Sequence, residues 1–360
     1  MNYTLYLTEN CNLRCKYCYE KNKTTNEMDY NTIKSIIDYE IKQNDIHSQI
    51  NFYGGEPLLK KNLIYRTIDY IKHENTKTKF TFGLTTNGTL LDEEFLKYIK
   101  KNDFTHIAIS VDGNKEVQNR NRVMVNGQET FDIVEENAKR ALKRLKNVIA
   151  MVVVTKNNLQ DLADSVEYLI KLGFKIINLQ FDYTADWNDM DLERIKNEYR
   201  KVSEIYYKNI VNKNHINIII FDQKIRTYID DNYICDKECK LGMKDLYVAT
   251  DGNLYPCIQL VGNLNFVIGN CKNGIETNKR DELIKNAHKE NNTCKQCAIK
   301  KRCSHTCCCK NYATTKDINK VSPIICETEK IFIEIADELA EKLYQNCPKI
   351  FIRKFYNVWR

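Results

Sequence analysis

From Asn2 to about Asp182, short apolar β-rich runs alternate with longer segments whose apolar residues recur at helical spacing. That alternation predicts repeated βα units around a parallel sheet. The strand candidates are residues 3–7, 49–53, 80–86, 107–111, 148–154 and 176–180. Between the first two, Ile33, Ile36, Ile37 and Ile41 share one face of a helix predicted over about 31–43. Polar and glycine signals gather at the C-terminal strand ends, as Gly54-Gly55-Glu56-Pro57, Asn87-Gly88 and Asp112-Gly113. Barrel enzymes place their active-site loops there. Six units rather than eight predict an open, partial (β/α)6 barrel within an α/β fold.

After Asp182 the pattern changes. A polar helix over about 189–213 precedes an apolar run, 216–221, that reads as a strand. From Cys235 onward the chain is cysteine-dense, and residues 246–250 and 254–255 flank Asp251-Gly252, a hairpin-turn signal. The last periodic stretch, 331–344, predicts a helix packing back on the protein. The expected organisation is a barrel over 1–185, a bridge over 186–232, a small cysteine-rich domain over 233–330, and a C-terminal helix and tail over 331–360. The chain is expected to start at the first strand, with no separate peptide-binding domain ahead of it.

Composition narrows the setting. With 360 residues, 42% of them hydrophobic, the chain has material for a real core. It shows no apolar run of about 18 residues and no signal peptide, so the expectation is a cytoplasmic protein that does not engage a membrane. The net charge of +7 comes from 55 basic and 48 acidic residues spread without a basic block, which argues against nucleic-acid binding. Fifteen cysteines in a reducing compartment point to metal ligation rather than disulfides.

Cys11, Cys15 and Cys18 stand at C-x3-C-x2-C spacing just after the first strand. Three thiolates wrap one face of a 4Fe-4S cube and leave one iron open, because such a cube usually takes four cysteines. A zinc site and loose surface thiols are the alternatives. The motif, with Tyr17 before its last cysteine, resembles the signature of radical S-adenosylmethionine (SAM) enzymes, whose partial six-stranded barrel agrees with the βα count. The resemblance implies that the open iron binds SAM and that a 5'-deoxyadenosyl radical takes a hydrogen atom from the substrate, with an external low-potential donor supplying the electron. It implies that Cys11, Cys15 and Cys18 are the catalytic metal ligands, and that Gly54, Gly55 and Glu56 hold the methionine ammonium. By the same resemblance Tyr17, Asn87, Ser110 and Arg122 contact SAM, Arg122 pairing with its carboxylate. Here Gln118-Asn119 stands where related enzymes carry His-Asp before that arginine. Asp112 lies beside Ser110, and Gln180 faces the barrel interior or is a core glutamine.

Further along, Cys239, Gly252 and Cys257 stand at C-x12-G-x4-C spacing, and Cys294, Cys297, Cys303 and Cys307 at C-x2-C-x5-C-x3-C, followed by Cys326. This resembles the SPASM domain, a cysteine-rich extension of radical SAM enzymes that modify peptides. The resemblance implies two auxiliary 4Fe-4S clusters, three in all. Cys235, Cys239, Cys257 and Cys307 would hold one, and Cys294, Cys297, Cys303 and Cys326 the other. Cys308 and Cys309 compete with Cys307; Cys271 and Cys347 read as buried thiols, and two zinc sites are the bland alternative.

The run Leu254-Tyr255-Pro256-Cys257-Ile258-Gln259-Leu260-Val261-Gly262 resembles SPASM maturases of cysteine-rich ribosomal peptides, which join a Cys thiol to a carbon as a thioether. Sulfatase maturases carry an Asp immediately after this cysteine as a base, and Ile258 cannot act as one. The expected function is thioether cross-linking of a precursor peptide, recognised through a separate leader-binding protein or by the enzyme's own surfaces. Carbon–carbon cross-linking and formylglycine formation are the alternatives within the family; an iron-sulfur electron-transfer scaffold is the alternative outside it.

Overall fold

The strands of the computed structural model, in chain order, are β1 (Asn2–Tyr6), β2 (His47–Tyr53), β3 (Lys79–Thr86), β4 (Phe104–Ser110), β5 (Val148–Val154), β6 (Ile176–Phe181) and the short β7 (Asn217–Ile218). They are followed by β8 (Asp245–Val248), β9 (Asn253–Tyr255), β10 (Gly269–Asn270) and β11 (Gly274–Ile275). The structure describes residues 1–20, 23–74, 77–230, 241–289 and 291–356. Contacts divide the chain into two units. One comprises Met1–Ser110, Gln118–Val148 and Lys240–Lys285; the other comprises Val111–Val117, Ile149–Cys239 and Asn286–Arg360.

In the first unit β1 to β4 pair in parallel, with Leu5 opposite Phe52 and Phe52 opposite Leu84. The crossover helices are Tyr30–Gln43, Lys61–Glu74 and Glu93–Lys101. The first buries Ile33, Ile36 and Ile37 on the apolar face expected, and stops where Asn44 takes a left-handed conformation at φ 55°. Glu93–Lys101 starts at Asp92, whose carboxylate accepts the Phe95 N–H at 2.8 Å, with acids in its first turn and lysines in its last. Leu5, Phe52 and Leu84 are fully buried, each contributing roughly 1.5–3 kcal/mol. The hairpin β8–β9 adds to the other edge, β8 lying parallel to β1 with Val248 opposite Leu5. At its turn Gly252 sits at φ +84°, and a Cβ there would meet Cys271 Sγ at 2.7 Å. Cys271 is thus the buried thiol expected, wedged beneath that turn.

In the second unit β5, β6 and β7 pair in parallel. The polar helix Asp189–Val211 opens with a capping box, Asn188 and Asp191 exchanging side-chain and backbone hydrogen bonds. It packs on helix Pro323–Asn346, where the Tyr199 and Phe332 rings approach to 4.5 Å. Two expectations are corrected here. The run 216–221 is a strand only at Asn217–Ile218, and the following residues form helix Ile219–Ile229. Its β-branched run resembled a strand, but Phe221 and Ile225 bury at helical spacing. The C-terminal helix begins at Pro323 rather than 331, since proline at a first helical position costs no hydrogen bond, and a second helix, Pro348–Phe355, follows it. No helix among the described residues is long and apolar enough to cross a membrane.

Candidate active site

The loop carrying Cys11, Cys15 and Cys18 leaves the C-terminal end of β1 and is fixed mainly by backbone. On one side the Gly55 N–H donates to Thr8 O at 2.7 Å and the Glu56 N–H to Asn10 O at 2.9 Å. The two glycines permit this approach: a Cβ would stand 2.4 Å from Thr8 O at Gly54 and 2.2 Å from Asn10 O at Gly55. On the other side the Arg14 N–H donates to Val123 O, the Lys16 N–H to Asn121 O and the Val125 N–H to Asn12 O, at 2.8, 3.0 and 2.9 Å. Cys11 is buried, while Cys15 and Cys18 are half-exposed. Cys11 Sγ receives the Leu13 N–H at 3.4 Å and Asn87 Nδ2 at 3.8 Å, and burial pushes its thiol pKa up.

Glu56 is fully buried and ties three segments together. One oxygen accepts the Leu58 N–H at 3.0 Å and the Thr86 hydroxyl at 2.7 Å; the other accepts the Asn87 N–H at 2.7 Å. It therefore also caps the turn Pro57–Lys60. Asn87 is equally engaged: its amide donates to Asn12 at 2.9 Å, and its oxygen accepts the Thr89 N–H and hydroxyl at 3.0 and 2.7 Å. Burial pushes the Glu56 carboxyl up to about 7, against the pull of its donors. The native state then holds a proton that the unfolded chain releases near 4.5, so this group's contribution to stability falls as pH rises through that window. Glu56→Gln turns an amide NH2 toward backbone donors and should cost about 1–3 kcal/mol. Denaturant unfolding from pH 4 to 8 should show its deficit against wild type shrinking with rising pH.

Arg122 is buried beside the loop, its guanidinium 5.2 Å from the centre of the Tyr17 ring, and its carbonyl accepts the Thr130 hydroxyl at 2.7 Å. Ser110 ends β4 half-buried. Asp112 is buried in the second unit, where it accepts the Val153 N–H at 3.1 Å. Gln180 is exposed, which removes the core-glutamine reading. Sequence reasoning missed a tyrosine group at the strand ends. The Tyr6 hydroxyl donates to Glu20 at 2.7 Å, Tyr19 and Tyr53 share a hydrogen bond at 3.1 Å, and the Tyr6 and Tyr53 rings lie 5.5 Å apart. Asn121 was missed too; its side-chain nitrogen is buried and finds no protein hydrogen-bond acceptor. Aromatic residues recurring just before and after the strand ends were the signal available.

Residues 5–169 match the model of the radical SAM superfamily. Along 91% of this chain and 93% of its own length, the cysteine-type anaerobic sulfatase-maturating enzyme of Clostridium perfringens (strain 13 / Type A) is 28% identical. An uncharacterized protein of Methanocaldococcus jannaschii is 32% identical over 72% of this chain and 87% of its own. The chain belongs to the radical SAM superfamily. Its fold matches the solved structure of anSMEcpe with bound AdoMet at a TM-score of 0.83, 23% identity and coverage of 99% and 98% of the two chains. A second structure of anSMEcpe also holds the peptide Cp18Cys, with a TM-score of 0.80, 24% identity and coverage of 95% and 98%.

Membership implies SAM and a 4Fe-4S cluster, and the loop suits both. Cys11, Cys15 and Cys18 lie on one backbone-laced loop in which Cys15 and Cys18 share a turn, N–H donors already point at Cys11 Sγ, and Asn121, whose side-chain nitrogen is buried and unsatisfied, holds Lys16 of that loop through its backbone. In the second cysteine set, Cys294 and Cys297 share a turn, Cys303 is buried, and Cys326 lies in the first turn of helix Pro323–Asn346. Burial raises the thiol pKa of Cys294, Cys303 and Cys326, and so do the neighbouring thiols: Cys297 and Cys326 act on Cys294, Cys326 on Cys303, and Cys297 on Cys326. No three Cys, His, Asp or Glu side chains among the described residues form a ready-made single-ion site. Cys257 follows β9 in the first unit, and Cys307 precedes helix Cys308–Thr315 in the second. Cys235 and Cys239 lie outside the described residues. Cys309 Sγ stands 3.4 Å from Cys307 Sγ.

Proposed function

We propose that this radical SAM enzyme modifies a ribosomally made precursor peptide, forming thioether links between a cysteine sulfur and a carbon of another residue. The observation that carries the reading is the pinned three-cysteine loop, joined in the same chain by a second cysteine-rich segment in which Cys294 and Cys297 share a turn. In this reading residues 1–185 carry the radical chemistry, 186–232 bridge, 233–330 hold the auxiliary clusters, and 331–360 pack as helix and tail. Cys11, Cys15 and Cys18 hold the SAM cluster, and Gly54, Gly55, Glu56, Asn87, Ser110, Tyr17 and Arg122 shape the SAM site. Glu56 has three donors on its two oxygens, which leaves room for one more, the ammonium of SAM. Cys235, Cys239, Cys257 and Cys307 hold a further cluster. When bound, SAM and the clusters supply the radical and take up the electron released as the link forms. The peptide loses two hydrogens per link, one as an atom from carbon, the other as a proton from sulfur together with that electron.

The C. perfringens relative favours a second reading, oxidation of a cysteine to formylglycine. Ile258 weighs against it: it is half-buried and apolar, directly after Cys257, where a sulfatase maturase places its base. Co-expression with a cysteine-rich peptide from a neighbouring gene, followed by mass spectrometry, separates the two. Thioether formation predicts loss of two hydrogens per link and thiols protected from alkylation; an aldehyde and loss of sulfur would establish formylglycine instead. The low-potential electron donor is external, the thiols need a reducing, cytoplasmic setting, and the leader is bound by a separate protein or by the enzyme's own surface.

A further inference from the structure

Within the second unit, the tripeptide Arg302-Cys303-Ser304 is gripped on both sides of its cysteine. The Arg302 guanidinium makes a two-pronged pair with Asp337, one prong at 2.7 Å, and its Nε donates to the Thr227 hydroxyl at 3.2 Å. Arg302 O accepts the Lys224 ammonium at 3.0 Å. Past the cysteine, the Ser304 N–H and hydroxyl both donate to the Glu329 carboxylate, at 3.1 and 2.7 Å. Lys224 and Glu329 close the ring by pairing with each other at 2.5 Å, their side chains 3% and 2% exposed. Lys224 and Thr227 come from helix Ile219–Ile229, Glu329 and Asp337 from helix Pro323–Asn346. Cys303 itself is buried.

Peptide planarity turns these bonds into an aim. The Arg302 carbonyl belongs to the peptide unit before Cys303 and the Ser304 N–H to the unit after it, and each unit is a rigid plane. Lys224 holds the first plane and Glu329 the second. The direction of the Cys303 Cα–Cβ bond is thereby set, and only the staggered rotations about that bond are left to the thiol. The carboxylate that does the holding stands three positions after Cys326 on one helix, where residues so spaced share a face. It ties the backbone at Cys303 to the helix face that carries Cys326. Stability alone does not call for charge here. Apolar residues of the same volume often join two helices as well as a buried ion pair does; they cannot bond a carbonyl on one side of a cysteine and an N–H on the other.

We propose that Lys224 and Glu329 are positioning residues that aim the Cys303 thiol for ligation of an iron-sulfur cluster together with Cys326. The inference rests on the reading above that gives Cys294, Cys297, Cys303 and Cys326 one auxiliary cluster. Groups that hold a ligand in its bound direction reduce what must be ordered when the metal enters, and losing them typically costs about 10–100-fold in metal affinity.

The test measures iron release to a chelator from the full chain, reconstituted anaerobically with iron and sulfide, beside denaturant unfolding of the apo form. Cys303→Ala identifies the cluster and should load about four irons fewer than wild type. Lys224→Met combined with Glu329→Leu should unfold near the wild-type midpoint, yet release those irons about tenfold faster or more, or fail to load them. Lys224→Gln combined with Glu329→Gln keeps a donor for Arg302 O and an acceptor for the Ser304 N–H without charge, and should return release toward the wild-type rate. Wild-type release from the folded apolar pair would overturn the proposal, as would release from the glutamine pair as fast as from the apolar one. If the apolar pair does not fold, Lys224→Met alone, which takes the donor from Arg302 O, is measured and should show the same acceleration; wild-type release there, or failure of both to fold, makes the two residues purely structural and also overturns it. Cys303→Ala loading as much iron as wild type would instead sink the auxiliary-cluster reading, a result distinct from unchanged release.

Discussion

Alanine at Cys11, Cys15 or Cys18 is expected to abolish SAM cleavage, read as 5'-deoxyadenosine after anaerobic reduction; on the proposed reading with two auxiliary clusters, the chain then keeps about eight of about twelve irons. The expected effect is large because, in the proposed reading, the three thiols are the entire protein share of that cluster's ligands. The loss should be confined to chemistry, since the loop is held by backbone contacts from Gly55, Glu56, Arg14, Lys16 and Val125 that no cysteine makes. Cys11→Ala should therefore unfold within about 1 kcal/mol of the wild-type apo chain once its small volume change is counted. Cleavage at the wild-type rate in any of the three variants would remove the loop from the mechanism.

Glu329→Ala should be the most destabilising single change in the second unit. It strands the Lys224 ammonium at 3% exposure and takes the acceptor from both Ser304 donors. Breaking a buried pair from one side costs about 3–5 kcal/mol, whereas Lys224→Met combined with Glu329→Leu should recover most of it. Burial raises the Glu329 carboxyl, but Lys224 and Lys310 outweigh burial and hold it below its usual value. Its contribution is therefore complete above about pH 4.5 and is lost as pH falls through the depressed folded value. Denaturant unfolding of wild type, single and double variants at pH 7 and pH 4 checks both statements. A single-variant deficit under about 1 kcal/mol would mean that the pair behaves as a solvated one.

The parts of this protein legible in the sequence are those written in local pattern. The βα alternation placed six strands within a few residues, and cysteine spacing singled out the two cysteine sets to which the proposed clusters are assigned. What escaped was set by tertiary context. Residues 216–221 are rich in β-branched residues, so only packing decides that Phe221 and Ile225 turn inward on a helix. The Lys224–Glu329 pair joins positions 105 residues apart, which no window reveals. Glu56 stood out in sequence as a cofactor contact, yet its first task is to bind the ends of β2 and β3 to each other. Arg122 was placed by a motif lacking its usual neighbours; the backbone bridge between Leu13 and Met124 is what brings it to Tyr17.

The two-sided lacing of the cysteine loop sets how this segment tolerates change. The Thr8 and Asn10 carbonyls and the Arg14 and Lys16 amides do the holding, so the side chains at Asn10 and Lys16 are nearly free to vary. Length is another matter. One residue inserted between Cys11 and Cys18 would put the loop out of step with the segment 121–125, and repair would need a matching insertion there. Spacing, more than residue identity, is the quantity this stretch is built to preserve.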